Sequence, residues 1–77
     1  MTLSELAPGE TAIIESIDVA DPAVQRLMVL GLVEGAELTY VRASLGGDPL
    51  EFRLFGAAIS LRRAQARRFR CRSAVSN

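Results

Sequence analysis

Three carboxylates come closest to a recognisable chemistry in this chain. Glu34 and Glu37 flank Gly35, and Asp48 follows the pair Gly46-Gly47 in a turn-rich stretch. Oxygen ligands on turns suit a hard divalent cation completed by water, so Glu34, Glu37 and Asp48 are a weak candidate metal set. Solvated surface acids would look the same, and nothing else strengthens the set. The chain has no histidine and no lysine, which removes the usual general base, the Schiff-base amine and the commonest transition-metal ligand. Cys71 has no imidazole to activate it and falls in the inward register of an alternating segment, the place of a small core residue. Gly46-Gly47 leads into neither a helix N-terminus nor a lysine, so it fails as a phosphate cradle. Ser4, Ser16, Ser44 and Ser60 stand in no nucleophile-elbow context. The expectation is a protein that is not an enzyme and has no cofactor beyond, at most, a weakly held divalent metal.

Charge gives a second constellation. The formal net charge is zero, yet residues 1–52 hold all nine acids and only two of the nine arginines, while residues 53–77 hold seven arginines and no acid. Arg68, Arg70 and Arg72 alternate along one segment, with Arg62, Arg63 and Arg67 close in sequence. Nucleic acid is not the expected partner, because exposed aromatics for base stacking are missing and the acids dilute the field. A folded sheet that interleaves the two halves would offset the charges across strands. Arginines along an edge strand also discourage edge-to-edge aggregation.

These side chains must be positioned by a small scaffold. Seventy-seven residues form one domain, expected to span 1–77 with its core at about 2–72 and a tail at 73–77. Its stability is roughly 4–11 kcal/mol at about 0.05–0.15 kcal/mol per residue. Pro8-Gly9 suits a type II turn before a first strand, Thr11 to Ile17. Asp21 can cap a helix with Pro22 in its first turn, and Val24, Leu27 and Met28 form one apolar stripe. Gly31 stops that helix, of about 21–30, and lets Leu32 fold back on Leu27. A second strand follows from about Ala36 to Ala43, then a loop at 45–49. Leu50, Phe52 and Leu54 alternate along a third strand, and Gly56-Ala57 closes a hairpin into a fourth at Ala58 to Leu61. A short helical turn at about 62–66 precedes a last strand, Arg68 to Arg72, with Phe69 and Cys71 inward. Five short strands and one inserted helix predict a mainly β fold, a small closed or partly closed barrel.

The helix end carries more apolar residues than a core can take from one side. Leu30, Leu32 and Val33 circle a helix terminus and a turn, so some of their surface stays uncovered unless the loop at 45–49 folds over it. Clustered apolar residues on a small domain mark a protein contact. Leu30, Leu32 and Val33, with Arg26 supplying a hydrogen-bonding fork at the rim, are the candidate partner-binding residues. The N-terminus lacks a basic region followed by an apolar core, and the longest uncharged apolar run, Leu27 to Val33, is far short of the roughly 20 residues of a membrane span. The expected location is the cytoplasm, without membrane insertion.

A family likeness is carried by several stretches in order: Leu3, Leu6, Pro8-Gly9, Ala12 and Ile14; then RLMVLGLVEG, Arg26 to Gly35; then Gly47-Asp48-Pro49; then ISLRRAQA, Ile59 to Ala66. Over residues 2–72 the chain resembles the FeoA family. Glu34, Gln65 and the basic ending Phe69 to Arg72 depart from residues common there. The resemblance implies an SH3-like β-barrel of about five strands with an inserted helix. It further implies an accessory role in bacterial ferrous-iron uptake, by docking on the cytoplasmic GTPase part of a FeoB-type transporter. The alternative is a metal-responsive domain binding a divalent transition metal through its surface carboxylates. Self-association into a homo-oligomer fits either reading.

Overall fold

The computed structural model describes residues 1–74. Five antiparallel strands form one sheet: β1 (Thr11–Ile17), β2 (Glu37–Ala43), β3 (Leu50–Leu54), β4 (Ala57–Leu61) and β5 (Phe69–Ser73). Their order is β4-β3-β2-β1-β5, so β4 and β5 are the two edges and the expected barrel is open between them. Helix α1 (Pro22–Val29) is inserted between β1 and β2, and the short helix α2 (Arg63–Ala66) between β4 and β5. The mainly β fold with one inserted helix and a helical turn is therefore present, with helix bounds within a residue or so of those expected.

Alternation builds the core. Ala12 and Ile14 of β1, Leu38 and Tyr40 of β2, Leu50, Phe52 and Leu54 of β3, Leu61 of β4, and Phe69 and Cys71 of β5 are all buried. Burial pushes the Cys71 thiol up from its ordinary value, as befits a core residue. Helix α1 joins this core through Val24, with Leu27 partly buried against it. The Asp21 carboxylate accepts the Ala23 N–H at 2.8 Å, Pro22 occupies the first turn, and Val24 is buried. Its C-terminus is a Schellman motif: Gly31 N–H donates to the Met28 carbonyl at 3.0 Å and Leu32 N–H to the Leu27 carbonyl at 3.2 Å. Gly31 takes φ +110°, which a side chain would resist.

Two expectations about the strands need correction. The β3–β4 turn is Phe55-Gly56, one residue earlier than Gly56-Ala57, because Leu54 pairs directly with Ala57. Both turn residues have positive φ, 52° and 81°, the type I′ arrangement that matches the strand twist. At the C-terminus, Ser73 belongs to β5 and the Ala74 N–H donates to the Thr11 carbonyl at 3.0 Å. Two residues assigned to the tail are thus tied to the sheet; the rest of that tail, Val75 to Asn77, lies outside the described residues.

The loop before β3 is fastened to the start of α2. Asp48 accepts the Arg63 backbone N–H at 2.9 Å, and the Arg63 guanidinium donates to the carbonyls of Gly47 at 2.9 Å and Ser4 at 3.4 Å. Gln65 closes the start of α2 by accepting the Arg62 N–H at 2.9 Å, which a glutamate there would do equally. The acidic and basic halves of the chain do interleave. Asp18 pairs with Arg68 at 2.6 Å and Glu15 with Arg72 at 3.6 Å, both joining the β1 side to β5.

Candidate interaction surface

The end of α1 and the β3–β4 hairpin meet at the open side of the sheet. Helix geometry brings Val29 and Leu30 to the surface there, 87% and 64% exposed. The hairpin brings Phe55, 77% exposed although aromatic and held at positive φ. A non-glycine residue in that conformation is uncommon, and for a bulky one it marks a strained turn. The Phe55 ring lies against Gly31: a Cβ on Gly31 would stand 2.9 Å from the ring's Cε2. Gly31 is thus required twice, for its own φ and for the ring's approach. Between these two elements runs a groove of about 300 Å³ lined by Leu30, Leu54, Phe55, Ala57, Ala58 and Ile59. All of its lining side chains are apolar, and β4 contributes no charge to it.

The anticipated contact residues divide. Leu30 lines the groove, and Val33 is exposed in the turn after the helix. Leu32 is fully buried, so it is core and not contact. The Schellman cap is the reason: the hydrogen bond from Leu32 to Leu27 turns its side chain inward. Arg26 is exposed and, four residues before Leu30, shares that helix face, but it is not among the residues that line the groove. The loop at 45–49 does not cover the cluster, being held by Arg63. Sequence reasoning missed Phe55, Ala57, Ala58 and Ile59. The signal was present: two alternating runs separated by Phe-Gly form a two-residue hairpin whose first turn position points outward.

The weak metal set is not assembled. Glu34 and Glu37 are exposed, and Asp48 is engaged with the Arg63 N–H. Among the described residues, no three of Asp, Glu, His and Cys come together as a ligand set. Nor is any helix among them long and apolar enough to cross a membrane.

Comparison with known proteins agrees with this geometry. A FeoA protein of Chlorobium tepidum is similar at 40% identity and TM-score 0.89, over all of this chain and 73% of that one. A zinc-complexed FeoA of Stenotrophomonas maltophilia, described as a prokaryotic SH3 domain protein, is similar at 37% identity and TM-score 0.80, over 94% of this chain and 89% of that one. A manganese-dependent transcriptional repressor shares the fold at TM-score 0.84 but only 20% identity, over 95% of this chain and 36% of the repressor. An Fe(2+) transport protein A/Fe(2+) transporter FeoB fusion protein of Porphyromonas gingivalis is 31% identical over the whole of this chain, which spans 9% of that relative's length. The model of the FeoA domain matches residues 1–72, and with it the chain belongs to the FeoA family.

Proposed function

We propose that this chain is a non-enzymatic accessory domain of bacterial ferrous-iron uptake, acting in the cytoplasm. In this reading it docks on the cytoplasmic GTPase part of a FeoB-type transporter through the groove between α1 and the β3–β4 hairpin. The observation that carries the reading is the pairing of two uncovered apolar side chains, Leu30 and Phe55, across that groove. The contact with Gly31 covers only a small part of the Phe55 ring and does not account for an aromatic at positive φ, whereas an aromatic anchor beside an aliphatic pocket is a common arrangement at protein interfaces. The relative in which a transport protein A and a FeoB transporter form one polypeptide supports association between the two kinds of domain. The S. maltophilia FeoA has itself been suggested as a ferrous iron transport activating factor. The domain then works by contact, with no catalytic group, cofactor or metal of its own, and nucleic acid is not its partner.

A binding titration against the purified cytoplasmic part of a FeoB-type transporter from the same genome tests this. Leu30→Asp and Phe55→Ser should each weaken binding at least about tenfold, since truncated anchors carry most of an interface's energy. Arg70→Ala, on the opposite edge, should bind as the wild type does. Equal affinity for all four proteins would end the reading. Anaerobic calorimetry with Fe²⁺ and no partner addresses the alternative: stoichiometric binding there would favour a metal-responsive domain.

A further inference from the structure

We infer that the free edge of β4 pairs with the β4 edge of a second copy of this chain, antiparallel about a two-fold axis at Ile59. The hairpin register makes the edge available. Leu54 and Ala57 flank the two-residue turn and exchange hydrogen bonds, so Ile59 and Leu61 also bond to β3, opposite Phe52 and Leu50. The peptide groups of Ala58 and Ser60 therefore point away from β3, at the end of the sheet, and no other segment among the described residues pairs with them. Two-fold pairing about Ile59 sets Ala58 against the partner copy's Ser60 and Ser60 against the partner copy's Ala58. Each of these pairs exchanges two bonds, and the outward-pointing groups of both copies are satisfied together. An isologous contact of this kind closes after two copies instead of growing into a fibre.

Charge selects this edge and this occupant. Residues 57–61 carry no charge, so a second copy meets neither repulsion nor an unpaired buried ion. The same operation at β5 would bring together strands bearing Arg70 and Arg72, and like charges there oppose pairing. On the core face, the two Ile59 side chains meet at the axis and extend the apolar wall formed with Leu30 in each copy. The ladder is only five residues long, short of the area a permanent dimer uses, so the pair forms reversibly and with concentration.

Two measurements on the full chain, without any partner, decide the matter. In sedimentation velocity the wild type should rise with concentration from its 8.3 kDa monomer toward twice that mass. Ala58→Pro should stay monomeric: the ring removes only an N–H that faces away from β3, so the hairpin keeps its ladder. Amide exchange read by NMR gives the answer without a variant. On concentrating the wild type, the Ala58 and Ser60 amides should slow about tenfold, while those of Ile59 and Leu61 stay as protected as before. A wild type monomeric at every concentration overturns the inference, and so does a dimer that survives Ala58→Pro or leaves the Ala58 and Ser60 amides unchanged.

Discussion

The two edges of the sheet are treated in opposite ways. At β5 the outward residues are arginines, two ion pairs reach back to the β1 side, and the N-terminal segment lies alongside. There the Cys71 N–H donates to the Met1 carbonyl at 2.8 Å and Thr2 bridges to Arg70. At β4 the residues are Ala, Ala, Ile, Ser and Leu, no segment among the described residues pairs along their free edge, and an apolar groove opens beside them. An unguarded edge invites unwanted pairing, and proteins ordinarily block it with charge, proline or a covering segment. This chain applies two of those devices at one edge and none at the other. The asymmetry separates a structural edge from a recognition edge, and it should show as opposite responses to mutation.

The largest effect belongs to the guarded side. Phe69 of β5 is fully buried, and Phe69→Ala should cost about 3–5 kcal/mol, close to the whole stability of a domain this size. Urea denaturation should show a protein partly unfolded in buffer, with binding lost along with the fold. Leu30→Asp, at the recognition side, should move the urea midpoint hardly at all, because the side chain is already mostly in water. If Leu30→Asp destabilised the protein as much as Phe69→Ala, the division between the edges would be wrong.

Gly31→Ala comes next and tests the seam between helix and hairpin. Forcing a Cβ at φ +110°, 2.9 Å from the Phe55 ring, should cost about 1–3 kcal/mol. Repeating the substitution in a Phe55→Ala background should recover the part due to collision and leave the part due to φ. Additive costs would mean that the ring does not rest on Gly31.

A smaller and more pointed effect is expected at Phe55 itself. Asparagine followed by glycine is the favoured pair for a type I′ turn, so Phe55→Asn should raise stability by about 0.5–1 kcal/mol in thermal melts. The same substitution removes the aromatic anchor and should weaken docking at least about tenfold. Opposite signs for stability and binding are what a residue kept for recognition must give. A Phe55→Asn protein that is both less stable and fully competent to bind would make the aromatic a turn residue and no more.

The guarded side was the more legible from sequence. Phe69 and Cys71 alternate with arginines, so their register could be read directly, and Asp21, Pro22 and Gly31 mark the helix with its caps. Leu32 shows where such reading stops. The cap that identifies it also decides its orientation, but whether a residue turned back by a Schellman motif reaches the core depends on what lies beneath, here Val24 and the sheet. Phe55 is harder to read, because alternation through Leu54 leaves the turn open to either Phe55-Gly56 or Gly56-Ala57, and the Leu54–Ala57 pairing decides for the first. The groove itself joins residues far apart in sequence, Leu30 with Ala57 to Ile59, and no local pattern announces that juxtaposition. The candidate carboxylates show the reverse: nearness in sequence does not assemble them, since Glu34 and Glu37 stay in water while Asp48 accepts the Arg63 N–H.

The smallest effect is one of pH and belongs again to the guarded side. A hydrogen bond from the Ala20 backbone and the Arg68 guanidinium hold the Asp18 carboxyl below its ordinary 3.8. A carboxylate depressed by folding contributes stability that is complete above its unfolded value and is lost as pH falls through its folded one. Melting temperature should therefore drop as pH is taken below about 3.8, and Asp18→Asn should lessen that drop. The pair is exposed, so salt should screen its share of the effect, and the change stays slight. No residue of β4 ionises, and protection of the Ile59 and Leu61 amides should follow global stability alone over the same range. Were the β4 ladder to loosen first on acidification while the Asp18 N–H kept its bond to Arg68, the ionic fastening would lie at the other edge, and the contrast between guarded and bare strands would have to be reversed.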